Sequence, residues 1–301
     1  MLSKAEECVK NIIYIELREH VEYLINIRRE LGYSIYNVRT QDNNEYSVKI
    51  YKEDNKHRKE EEELYRLRKM SLVNVPKVIR VTDKSKDIPY DALILSKISG
   101  SYNVKFFLRK KKREKVAREI IDNMIAVSQD KGDGKFGDVT GKRYVNYIDY
   151  LEDRYKVTLM KARFLLEKKK ITFEELMRAE ELYNNIKQVF GEEEIKPALV
   201  HGYYSLDNIR IDVRNGEIKI VVNPLNSFYG DEEYNLVNLM TPLGKKYKLF
   251  EIYKEKKGIS NNFNKKAEIY RTFFEIEEKY GEMTIGQLEK KRMRKRYKNV
   301  Q

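Results

Sequence analysis

The residues best suited to chemistry in this chain lie in two short clusters at the ends of one hairpin. Two apolar runs, Ile209 to Ile211 and Ile218 to Val222, flank the turn-rich segment Asp212-Val213-Arg214-Asn215-Gly216. An Asn-Gly pair between alternating apolar runs signals a tight antiparallel turn. His201 to Asn208 stand before the first run, and Asn223 to Asn226 after the second. A hairpin brings its second strand back to the start of its first, so the two clusters meet at one end. That is the arrangement of a catalytic loop facing a metal loop.

These residues carry a resemblance. His201-Gly202-Tyr203-Tyr204-Ser205-Leu206-Asp207-Asn208 is similar to the HGDxxxxN motif of the superfamily of aminoglycoside phosphotransferases, choline kinases and fructosamine kinases. Val221-Val222-Asn223-Pro224 resembles its I-D-P or I-D-F segment. Phe228 to Leu236 resembles its YGDxExDLA run, closest to the fructosamine kinase branch. Three segments in order and at family spacing are far more specific than one motif. The resemblance implies an α+β, two-lobed protein-kinase-like fold, with a small antiparallel-sheet N-lobe and a mostly helical C-lobe. It places the lobes at residues 1–98 and 99–301. Three positions depart from the pattern. Tyr203 stands where the family has its catalytic Asp, Asn223 where it has its metal-binding Asp, and Asn235 replaces the Asp of the third run.

The elements that must position these clusters begin at the N-terminus. Val9, Ile12, Ile13 and Ile15 suit a helix over residues 3–19. Val21 to Arg28, Tyr33 to Arg39 and Tyr46 to Tyr51 read as three antiparallel strands. The first turn holds a single glycine, Gly32, and makes a poor phosphate cradle. Strand alternation turns Lys49 away from the face of Val48 and Ile50. The resemblance makes Lys49 the phosphate-contacting lysine and the next helix, residues 55–69, the carrier of its partner. Glu60 fits best, four before Leu64 and seven before Leu67, with Glu61 a near rival and the other glutamates read as a solvated face. The strand containing Leu95 resembles the approach to the hinge whose backbone holds adenine, with the boundary near Ile98 to Ser101.

Beyond that boundary, Val116, Ile120, Ile121, Met124 and Ile125 form one helical face. Asp130 to Gly141 reads as a loop, and Tyr144 to Leu166 and Phe173 to Phe190 as two long helices. Tyr147, Tyr150 and Tyr155 either line an acceptor pocket or, as helical spacing favours, join the core. Two more helices, Tyr247 to Lys254 and Lys265 to Tyr280, precede a basic, solvated tail.

Phosphoryl transfer asks a protein for positioning and charge compensation. By the resemblance, Asn208 and Asn223 are the metal-side residues, and Tyr203 occupies the place of the proton acceptor. A phenol titrating near about 10 reaches neutral pH already protonated. Losing such a base costs roughly 10²- to 10⁴-fold in rate. Asn223 offers a neutral oxygen where Mg²⁺ favours a charged one. Asp207 is the candidate substitute base, although a turn-capping role suits it better. The expectation is a pseudokinase that acts by binding a small molecule or protein partner between the lobes, with ATP as an open cofactor and Mg²⁺ doubtful. The alternative is an active ATP-dependent phosphotransferase for a sugar amine, aminoglycoside or choline-like alcohol.

Composition sets the outer bounds. The chain has 301 residues, a net charge of +13 and one cysteine, Cys8, which excludes an internal disulfide and any multi-cysteine metal site. The charge leaves a weaker third reading, a nucleic-acid-associated protein using the basic tail. MLSKAEECVK lacks the apolar core of a secretion signal, and no run is long enough to span a bilayer, so the expected location is cytoplasmic.

Overall fold

The computed structural model describes residues 3–30, 32–97, 102–104, 108–224 and 226–298, with backbone alone for 282 and 284–298. Helix α1 (Lys4–Leu17) opens on a capping box: the Ser3 hydroxyl accepts the Glu6 N–H while the Glu6 carboxylate accepts the Ser3 N–H. Strands β1 (Val21–Arg29), β2 (Tyr33–Thr40) and β3 (Glu45–Tyr51) follow, then α2 (Lys56–Met70), β4 (Val78–Thr82) and β5 (Asp91–Ser96). The five strands make one antiparallel sheet in the order β1-β2-β3-β5-β4.

Alternation along the strands divides this sheet into two faces. Tyr36, Val38, Val48 and Ile50 pack on Val9, Ile12 and Ile13 of α1. Tyr51, Leu93 and Leu95 face the other way and meet Leu64 and Leu67 of α2. Each buried aliphatic side chain contributes about 1.5–3 kcal/mol. Packing on both faces therefore fixes the strand register. Lys49, between Val48 and Ile50, must then emerge on the α2 side.

The remainder is mainly helical. In order come β6 (Tyr102–Asn103), α3 (Lys110–Val127), β7 (Phe136–Asp138), β8 (Arg143–Tyr144), α4 (Tyr147–Glu167), α5 (Phe173–Asn184), α6 (Ile186–Gly191) and β9 (Ala198–Val200). The hairpin follows as β10 (Ile209–Asp212) and β11 (Glu217–Val221), then β12 (Phe228–Gly230), α7 (Tyr234–Leu239), α8 (Pro242–Lys246), α9 (Leu249–Lys257) and α10 (Phe263–Lys298). Gly216 closes the hairpin turn at φ +66, where a Cβ would lie 2.6 Å from Lys112 Cβ. Strand β6 pairs with β10, and a second small sheet runs β8-β7-β12-β9. The sheet with its two flanking helices and this helical remainder form a two-lobed α+β, protein-kinase-like fold.

Some local expectations needed revision. The stretch read as a loop, 130–141, contains β7, which pairs with β12 and β8 and is too short to show a period. The helix expected over 173–190 divides at Asn185 into α5 and α6. The backbone of α10 stays helical through the basic tail to Lys298. Tyr147, Tyr150 and Tyr155 are buried in the C-lobe core. The hinge placed near Ile98 to Ser101 lies outside the described residues.

Candidate active site

One end of the site is a dry ion pair. Lys49 Nζ donates to both carboxylate oxygens of Glu60, at 2.7 and 2.6 Å, and only 2% of Lys49 is exposed. Tyr51 also donates its hydroxyl to Glu60, at 2.9 Å. The ammonium sits 3.9 Å from the centre of the Tyr33 ring, within cation–π range. Burial pushes the Tyr33 phenol up to about 12 and the Tyr51 phenol well above its usual range, the latter further raised by Glu60. Both phenols are therefore neutral, Tyr51 bonding the pair through its hydroxyl and Tyr33 facing it with its ring.

The other end is neutral. Asn208 ends a one-turn 3-10 segment, Leu206–Asn208, and is buried. Its Nδ2 donates to the Tyr203 carbonyl at 3.0 Å. Across the hairpin, Asn223 Nδ2 reaches Asn208 Oδ1 at 3.5 Å, a contact already near the limit of a hydrogen bond. Asn223 has φ +54, a left-handed conformation that Asn tolerates better than most residues. Val222 N–H donates to the Asn208 carbonyl and locks the two loops together. The hairpin thus joins Asn208 and Asn223 as the sequence pattern required. The ligand atoms they offer are neutral amide oxygens, and this set does not fit Mg²⁺, which favours charged oxygens.

Tyr203 turns toward α10. Its ring stacks on Phe274 of α10, 5.4 Å between centres at 23°, and its hydroxyl donates to Glu278 at 3.3 Å. Burial, followed by Glu278, raises its phenol above the usual range, so it cannot take up a proton near neutrality. Asp207 lies exposed on the 3-10 segment. His201 is buried, and desolvation lowers its imidazole to about 4.

Between the two ends lies a cavity of about 420 Å³, within the range of small-molecule sites. Glu60, Leu95 and Asn223 line it, together with Arg28, Ser47, Lys97, Arg210 and Val222. Lys49 is bonded to Glu60 and is not itself one of the described lining residues. Helix α2 also ties this cavity to the second lobe. Glu63 accepts the Ser227 N–H at 3.1 Å, Lys59 donates to Asn226 at 3.1 Å, and Arg66 donates to the Tyr229 hydroxyl at 3.0 Å. A separate group, His57, Asp83 and Asp91, has metal-compatible donors within 4.8 Å of one another. Its two ring nitrogens face different carboxylates, Asp83 at 2.7 Å and Asp91 at 3.3 Å. Asp91 also accepts the N–H groups of Asn55 and Lys84, so the group serves as a tether at the start of α2.

Sequence reasoning did not find Glu63 or the two cavity arginines. Glu63 was placed on the solvated face of α2, yet it is buried. Its position three residues after Glu60 on the same helical face was the available signal. Arg210 stands on β10 between the buried Ile209 and Ile211, and that alternation was the available signal for it.

The family model for fructosamine kinase matches residues 32–281, and the chain belongs to that family. No curated protein matches the sequence. A candidate fructosamine-3-kinase from Haemophilus somnus 129PT superposes with a TM-score of 0.69 at 16% identity, covering 91% of this chain and 90% of that one. A second candidate fructosamine-3-kinase, from Thermobifida fusca YX-ER1, gives 0.62 at 13% identity, covering 89% and 98%. A thermostable mutant of the aminoglycoside phosphotransferase APH(4)-Ia, in ternary complex with AMP-PNP and hygromycin B, gives 0.68 at 14% identity and 93% coverage of each. At such identities the likeness establishes the fold. No helix among the described residues is long and apolar enough to cross a membrane.

Proposed function

We propose that this member of the fructosamine kinase family binds a small molecule or a protein partner between its lobes and does not transfer phosphate at a physiological rate. The observation that carries this reading is the neutral end of the site. Tyr203 is held against α10, and Asn208 and Asn223 bond to the protein and to each other. Neither a proton acceptor nor an anionic metal ligand stands in those places. Asp207 remains the one carboxylate of the loop, and it is exposed.

A second reading is an active ATP-dependent phosphotransferase for a sugar amine, aminoglycoside or choline-like alcohol. The Lys49–Glu60 pair and a cavity of ligand size favour it, and a structural neighbour holds AMP-PNP. Turnover separates the two. ATP hydrolysis and acceptor phosphorylation, assayed with Mg²⁺ and Mn²⁺ across those three acceptor classes, should stay at background. Turnover near about one per second, within the usual enzyme range, would overturn the binding-protein reading.

A further inference from the structure

We infer that the interlobe cavity takes a small oxyanion, a phosphate- or carboxylate-bearing molecule, whose charge rests on Arg210. This rests on the reading of the cleft as a binding site and names the chemistry it selects.

Among the described residues the cavity wall carries three cations and one anion: Arg28, Lys97, Arg210 and Glu60. Three of these four are compensated within the protein. Arg28 pairs with Glu30 at 2.8 Å, Lys97 with Glu45 at 2.7 Å, and Glu60 with Lys49 at 2.6 Å. The Arg210 guanidinium has no hydrogen-bond or ion-pair partner among the described residues, although it is half-buried. Its neighbours on β10, Ile209 and Ile211, are wholly buried in the C-lobe core, so the guanidinium is committed to the opposite, cavity side. Arg28 approaches from β1 of the other lobe. Burial disfavours the Arg210 charge, Arg28 adds repulsion, and Asp207 offsets this only in part, which holds the guanidinium below its usual range.

An uncharged ligand seated here would remove water from that charge and supply only ring contact in return. An oxyanion would meet a planar fork of donors that matches phosphate or carboxylate in two-point fashion. The Ser47 hydroxyl, bonded to Asn37 Oδ1 at 3.0 Å, adds a polar patch to the same wall.

Calorimetric titration of the whole chain with inorganic pyrophosphate, malonate and adenosine tests this. Pyrophosphate, malonate or both should bind, and the stronger of the two names the source chemistry. Adenosine should bind more weakly than that anion. Arg210→Leu should weaken the anion roughly 10- to 100-fold, the range for a charge-assisted contact. Arg210→Lys, a point charge without the fork, should recover part of the loss. Undiminished anion binding by Arg210→Leu, no anion binding by the native chain, or adenosine binding as tightly as either anion would each overturn the inference. Phosphoryl turnover would overturn the binding-protein reading and leave a dependence on Arg210 intact. Anion binding indifferent to Arg210 would do the reverse.

Discussion

The two ends of the interlobe site are built on opposite electrostatic principles. At one end Lys49 and Glu60 are full charges, buried together and bonded at 2.6–2.7 Å. At the other, Asn208 and Asn223 are neutral amides 3.5 Å apart, and the phenol of Tyr203 is turned onto a distant helix. A buried charge pair cannot lose one member cheaply, because the other is left desolvated. A pair of amides carries no such obligation. Once the pair is in place the fold resists the loss of either member alone, whether or not phosphate is ever transferred. An intact lysine–glutamate pair in this scaffold is then poor testimony to catalysis, and the neutral end is the better witness.

The largest expected effect lies at the charged end. Glu60→Ala should destabilise the protein by about 3–5 kcal/mol, because it strands the Lys49 ammonium. Denaturant midpoints would report it. The double variant Lys49→Met with Glu60→Leu should recover most of the loss, since apolar replacement of a whole buried pair is often neutral. A single-variant cost below about 1 kcal/mol, the range of a surface ion pair, would show that water already reaches the pair, and would break the contrast between the two ends.

Glu63 ties α2, the helix of the charged end, to Ser227 in the other lobe, and pH should reveal it. Burial raises its carboxyl from an ordinary 4.5 to about 8, with Glu60 adding to the rise and Lys59 opposing it. Between those values the folded chain holds a proton that the unfolded chain has released, so stability falls as pH rises. His201 works in the opposite sense. Burial lowers it from 6.5 to about 4, so its contribution is lost as pH falls through that interval. The two offset one another at acidic pH, leaving pH 6.5 to 8 as the window in which Glu63 acts without His201. Stability should drop there by about 2 kcal/mol. Glu63→Gln should flatten the curve in thermal denaturation. A slope that survives the substitution would mean that Glu63 is ionised in the fold.

What could be read from the sequence followed the range of the interactions. Two-residue alternation turned Lys49 off the face of Val48 and Ile50, and the resemblance, through the family's spacing to Leu64 and Leu67, favoured Glu60 as its partner. The hairpin joining Asn208 to Asn223 was written in Asn215-Gly216 and its flanking runs. Glu63 was hidden by a run of four glutamates, of which Glu61 and Glu62 do pair at the surface, with Arg58 and Arg66. Packing against Ser227 decides which face of that run is dry, and no local pattern records it. The contact of Tyr203 with Glu278 spans 75 residues, beyond any periodicity. Nothing local in the sequence therefore shows that Tyr203 has partners on α10.

That partnership yields the smallest predicted effect and the sharpest test of the comparison. The Tyr203 hydroxyl bonds an exposed carboxylate at 3.3 Å, so Tyr203→Phe should change stability by about 0.5 kcal/mol or less, as surface substitutions do. Tyr203→Ala removes the stacked ring as well and should cost about 1 kcal/mol, the scale of one aromatic pair. The Asn208 bond to the Tyr203 carbonyl belongs to the backbone and should survive both changes, keeping the loop in place. Denaturation curves for the two variants, set beside Glu60→Ala, give the ratio between the ends directly. A Tyr203→Ala cost of about 3 kcal/mol or more, comparable to stranding a buried charge, would make the neutral end as indispensable to the fold as the charged one. Tyr203 would then be a structural latch between the loop and α10, and its identity would no longer weigh against phosphoryl transfer.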